Sequence, residues 1–172
     1  AVPPLALVAD SDVIAQAPLN MINSGVGDML GKYTALFDWK ISSILTGEYY
    51  CDYVASLMKS ALEQVVSNID KIKTRDVDAI ESLTYGLVLS GLVMQMTGNS
   101  RPASGAEHHI SHLIEMGVVS KNNTALHGEK VGVATVLVLD RYHQAIKRNL
   151  TELDIVDYDY NYSDFINEKF SS

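Results

Sequence analysis

Residues 53–73 read YVASLMKSALEQVVSNIDKIK. Within them Val54, Leu57, Ala61, Val65, Ile69 and Ile72 recur at intervals of three and four, which lines them along one stripe of a helix that turns every 3.6 residues. Lys59, Glu63 and Gln64 fall off that stripe. A helix with one apolar face must bury it against other elements, so the neighbouring segments decide the architecture.

Downstream, residues 76–96 predict a second helix, opening at the acid-rich Asp76-Val77-Asp78 and stopping before Thr97-Gly98-Asn99, with Pro102 beyond the break. Its most apolar part, residues 85–96, is shorter than the roughly 20 residues that span a bilayer and reads as a buried helix, with Ser90 and Gly91 as positions of close approach. Residues 32–45, carrying Trp39 and ending at Thr46-Gly47, and residues 104–116, ending at Gly117, are two more helix-length runs. Residues 130–148 are rich in β-branched side chains between 131 and 139, yet their length and basic end favour a helix. Upstream, LALVA at 5–9 lies between Pro3-Pro4 and Asp10, and suits one buried strand or an extended lead-in. The acid-and-tyrosine tail at 154–162, with Tyr158, Tyr160 and Tyr162, has no core face and reads as a linker or lid. The expected fold is therefore mainly α, with one short strand at its start.

Hydrophobic residues make up 47% of the 172, enough for one substantial core. The 13 Lys and Arg against 21 Asp and Glu leave a net charge of −8, which repels a phosphate backbone or an anionic membrane surface, so nucleic acid and membrane insertion are not expected. Cys51 is the single cysteine, which rules out an intrachain disulfide and fits a reducing cytoplasm.

Four of the five histidines, His108, His109, His112 and His127, fall within twenty positions. On a helix over 104–116, His108 and His112 share a face while His109 points elsewhere. An i,i+4 pair alone is more often a surface or hydrogen-bonded pair than a metal site. Glu107 precedes His108 instead of following it, contrary to the zinc-protease pattern. His127, before Gly128, opens a second element, and Asp28, within the glycine-rich 24–32, offers a carboxylate that the glycines would present at a helix N-terminus or that would cap it. Two imidazoles and a carboxylate suit a catalytic ion with open positions. The spacing of these glycines is wrong for a dinucleotide fingerprint. Arg101, in the loop before the His-bearing helix, is a candidate contact for a substrate phosphate.

Taken together, GVGDMLGKYTA at 25–35 with Asp38-Trp39, SRPASGAEHHISH at 100–112 and LHGEKVG at 126–132 resemble the glycerol-1-phosphate dehydrogenases, particularly their bacterial branch. The resemblance covers most of the chain. It implies membership of the superfamily of glycerol dehydrogenase and dehydroquinate synthase, in which a nucleotide-binding α/β domain precedes a helical, metal-holding domain. The chain resembles the second alone, with an inter-domain strand and lead-in at 1–16 and the helical metal- and substrate-binding domain at 17–172. By the same resemblance the nucleotide-binding domain is absent and further C-terminal helices are missing. Asp28, His108 and His127 are then expected to bind one divalent metal, Zn or Ni. Asp28 and His112 would face the substrate, with His112 catalytic near the reacting hydroxyl. The implied reaction is the NAD(P)-dependent interconversion of sn-glycerol-1-phosphate and dihydroxyacetone phosphate, in a homodimer. Alternatives are a glycerol dehydrogenase, a dehydroquinate synthase-like enzyme, or a non-catalytic metal-binding or dimerisation module.

Overall fold

The computed structural model describes residues 4–117 and 124–147. The order is α1 (Ser11–Ala15), α2 (Leu19–Thr46), α3 (Asp52–Ser67), α4 (Ile69–Lys73), α5 (Val77–Thr97), α6 (Ala106–Glu115) and α7 (His127–Lys147). No strand occurs among the described residues, and the protein is mainly α, as expected. The chain divides into a unit at Ala1–Tyr142 and a second at His143–Ser172, of which only the end of α7 is described. The expected linker or lid at 154–162 lies outside the described residues.

The deciding stretch becomes α3 and α4. Of the expected stripe Val54, Ala61 and Val65 are buried and Leu57 is half-buried, while Met58 and Leu62, one position further round the helix, are fully buried beside them. The helix breaks at Asn68, which leaves helical geometry at φ −103° and ψ 11°, its side chain donating to the Gln64 carbonyl. The break rotates the next turn, so Ile72 enters the core while Ile69 is turned outward. Alongside runs α5, capped by the Asp76 carboxylate, which accepts from the Ala79 N–H at 3.1 Å. At its far end Gly98, φ 70°, takes the left-handed conformation that suits glycine. α5 packs against α1, α2, α3 and α4, bringing Ile80, Leu83 and Val93 into the shared core. At 21 residues it is long and apolar enough, by length and composition, to cross a membrane, so the shortness of 85–96 was not a sound exclusion. Here its inner face forms the core.

Two expectations about glycine are corrected. Gly91 has open space where a Cβ would stand, whereas Gly86 is the close-packed position, a Cβ there falling 2.7 Å from Met29 Cε. More consequential is α2, a 28-residue helix that starts thirteen residues before the expected position 32. Gly25, Gly27 and Gly31 are therefore helix interior, and Asp28 is no cap. Interior glycine costs about 1 kcal/mol of helix stability relative to alanine. What offsets it is proximity: a Cβ on Gly27 would stand 2.2 Å from the Gly128 carbonyl oxygen, and one on Gly31 2.8 Å from Val131 Cγ1. α7 thus lies backbone against backbone on α2.

The ambiguous segment after Gly128 is helical, with Val131, Ala134, Thr135 and Val138 buried at helical spacing. The opening LALVA is not a buried strand. Leu5 and Val8 are almost wholly exposed, and with no strand among the described residues there is no ladder to take their backbone groups. Trp39, fully buried near the end of α2, donates its indole N–H to the Tyr49 carbonyl at 2.8 Å and packs on the Tyr50 ring, fixing the α2–α3 turn.

Candidate metal centre

Three helices meet at the close approach of α2 and α7. Asp28 comes from the middle of α2, His108 from the first turn of α6 and His127 is the first residue of α7. One ligand atom from each, all within 4.8 Å of one another, can surround a single ion. Both ring nitrogens face the same carboxylate oxygen: His108 Nε2 is 3.3 Å from Asp28 Oδ1 and His127 Nε2 is 3.9 Å from it. Two imidazoles and one carboxylate form a donor set that divalent transition ions accept, with positions left for a substrate oxygen. The residues present therefore fit a divalent cation.

His112 is brought to the same place without joining the triad. Its ring centroid lies 6.1 Å from that of His108 and 6.2 Å from that of His127, and the residue is exposed. His109 is exposed on another face of α6.

Sequence reasoning missed three charged residues here. Lys32, one turn after Asp28 and 2% exposed, places its ammonium 2.9 and 3.0 Å from the two Asp28 oxygens. Burial alone would raise the Asp28 pKa, but the contact from His108 and the charge of Lys32 outweigh it and hold that pKa down to about 2. Glu107 is wholly buried, its carboxylate accepting from Thr34 Oγ1 at 2.6 Å and from the Gly105 N–H at 2.7 Å, and lying 2.7 Å from His108 Nδ1. Burial would raise its pKa too, yet these partners keep it below the usual carboxylate range. The same pair of carboxylates, on the two sides of His108, raises that imidazole's pKa against the opposing effect of its burial. Glu115, the last residue of α6, lies 2.7 Å from His127 Nδ1, and that contact lowers its pKa. Asp28 and Lys32 at i,i+4 were a readable signal for one of these residues. Glu107 stood beside His108 in the sequence but served there only to exclude a protease pattern, and no spacing announces Glu115.

Arg101 is placed elsewhere. Its guanidinium is held by Glu48 at 2.8 Å and reaches Ser42 Oγ at 3.4 Å. Ser42 lies fourteen residues beyond Asp28 on the same helix, roughly 21 Å at 1.5 Å per residue, too far for one small phosphorylated substrate to touch both. The turn after Arg101 serves α6 instead: Asp38 Oδ2 accepts from the Ala106 N–H at 2.8 Å, while Asp38 Oδ1 accepts from the Tyr142 hydroxyl.

No protein-family model matches the chain. Among curated proteins it is 47% identical over 148 residues to a Bacillus licheniformis protein named glycerol-1-phosphate dehydrogenase, NAD(P)+, covering 86% of this chain and 37% of that one. Proteins of the same name from Bacillus subtilis, 46% identical, and from Sulfurisphaera tokodaii, also 46% identical, are covered over 36% and 38% of their lengths and over 82% and 78% of this chain. The chain thus spans a little over a third of the length of the curated relatives it matches. Over most of its own length, this chain is a relative of the glycerol-1-phosphate dehydrogenases.

Proposed function

We propose that this chain is the helical metal- and substrate-binding part of a glycerol-1-phosphate dehydrogenase. In the intact enzyme it would act with a nucleotide-binding domain to interconvert sn-glycerol-1-phosphate and dihydroxyacetone phosphate, using NAD(P). The observation that carries the reading is the convergence of Asp28, His108 and His127, drawn from three helices onto a point within 4.8 Å. Sequence similarity to proteins of that name supports the substrate and the cofactor. On this reading the domain runs over 17–172, the lead-in at 1–16 joins it to the nucleotide-binding domain, and the intact enzyme is a cytoplasmic homodimer.

Asp28, His108 and His127 would hold one divalent cation, Zn or Ni. Such an ion supplies Lewis acidity to the C2 oxygen of the substrate. The chain's residues do the rest. Lys32 and His108 keep Asp28 ionised and available as a donor, and Asp28 also faces the substrate. His112, exposed beside the triad, takes the C2 hydroxyl proton in oxidation and returns it in reduction.

Elemental analysis tests the proposal on dialysed wild-type chain and His108→Ala. Near-equimolar metal in the wild type, lost in the variant, is the expected result. A wild-type chain that retains no metal, even when supplied with Zn²⁺ or Ni²⁺, overturns it.

A further inference from the structure

We infer that Glu107 and Glu115 are positioning residues for the metal, each carboxylate fixing one ligand histidine from behind. The inference rests on the metal reading above and adds residues to it. Both candidate imidazoles make the same contact: Nδ1 stands 2.7 Å from a glutamate oxygen, Glu107 for His108 and Glu115 for His127. An Nδ1–H donated to a carboxylate settles the ring's orientation and leaves Nε2 as the donor atom, with its basicity raised. In both rings Nε2 is the nitrogen that faces Asp28 Oδ1.

The two carboxylates are held in different ways. A fully buried carboxylate such as Glu107 is costly unless well partnered, and Thr34 and Gly105 hold it in a single orientation toward His108. Glu115 differs. Its side chain is 31% exposed, and it ties the last residue of α6 to the first of α7, so it sets where His127 stands as well as how its ring turns.

The test is metal affinity of the full chain, wild type against Glu115→Gln, Glu115→Ala and Glu107→Gln, measured with Zn²⁺ by competition against a chromogenic chelator. The Co²⁺ absorption spectrum and the metal-free melting temperature accompany it. The Glu115 variants are expected to bind about 10- to 100-fold more weakly, with an altered Co²⁺ spectrum and a metal-free melting temperature close to wild type. Glu107→Gln should weaken binding at least as much where it folds; where it does not, the Glu115 pair decides. Wild-type affinity in both Glu115 variants overturns the inference and leaves the metal site standing. A wild-type chain that binds no Zn²⁺ or Co²⁺ overturns the site itself, and the inference with it.

Discussion

A Cβ on Gly128 would stand 1.8 Å from the Ser24 carbonyl oxygen, and one on Gly27 2.2 Å from the Gly128 carbonyl oxygen. Both obstacles are helix backbone, which cannot step aside as the end of a flexible side chain can. Gly128→Ala must therefore push α7 away from α2, a strain of about 3 kcal/mol at the upper end of overpacking costs, and it must carry His127 away from Asp28. Thermal melting and Zn²⁺ affinity should fall together. Gly91→Ala, at a half-buried position of α5, provides the contrast, since its Cβ meets nothing within 4 Å; it should stabilise by about 0.5–1 kcal/mol, seen as a higher melting temperature. These glycines also show why the site was only half legible. The identities of Asp28, His108, His112 and His127 were readable as metal or substrate candidates, but the glycine-rich 24–32 was placed at a helix N-terminus, because its glycines do their work across the interface with α7, which a local reading does not include. Glu115 stayed hidden for the same reason: its partner His127 sits on another helix.

Helices whose ends carry a chemical signature were found close to where they lie. Asp76 before α5 was read as an acid-rich start and does cap it through the Ala79 N–H. Asp76→Ala should cost about 1 kcal/mol while Asp76→Asn costs little, a difference that urea denaturation of the two variants would resolve. Where the signature was weak the reading drifted. α2 has Pro18 as its N-cap and no side-chain capping bond, so nothing marked its first turn. Asn68 divides α3 from α4 without a glycine or proline to flag the break. The LALVA segment had the composition of a strand but no strand among the described residues to pair with, and β-propensity without a partner does not make a sheet.

For the molecule as a whole, the core and the candidate site rest on different contacts. Trp39, Met58, Leu62 and Ile80 hold α2, α3 and α5 together without reference to any ion, so chelators should leave the metal-free chain folded. Added Zn²⁺ should then raise stability by mass action, about 2.7 kcal/mol at a hundredfold excess over Kd, in wild type and not in His127→Ala. Calorimetry of both proteins, with and without Zn²⁺, checks this; an equal shift in the variant would mean that the ion binds elsewhere.

The three ligand residues are distant along the chain, Asp28 being eighty positions before His108 and His127 nineteen after it. An ion that holds all three closes two consecutive loops, one long and one short, as a pair of reversible staples would. Constraining a long loop removes conformational freedom mainly from the unfolded chain. The grip of such a staple depends on α6 and α7 having already docked on α2, so metal uptake during refolding would be a late event and would time the arrival of the last helix.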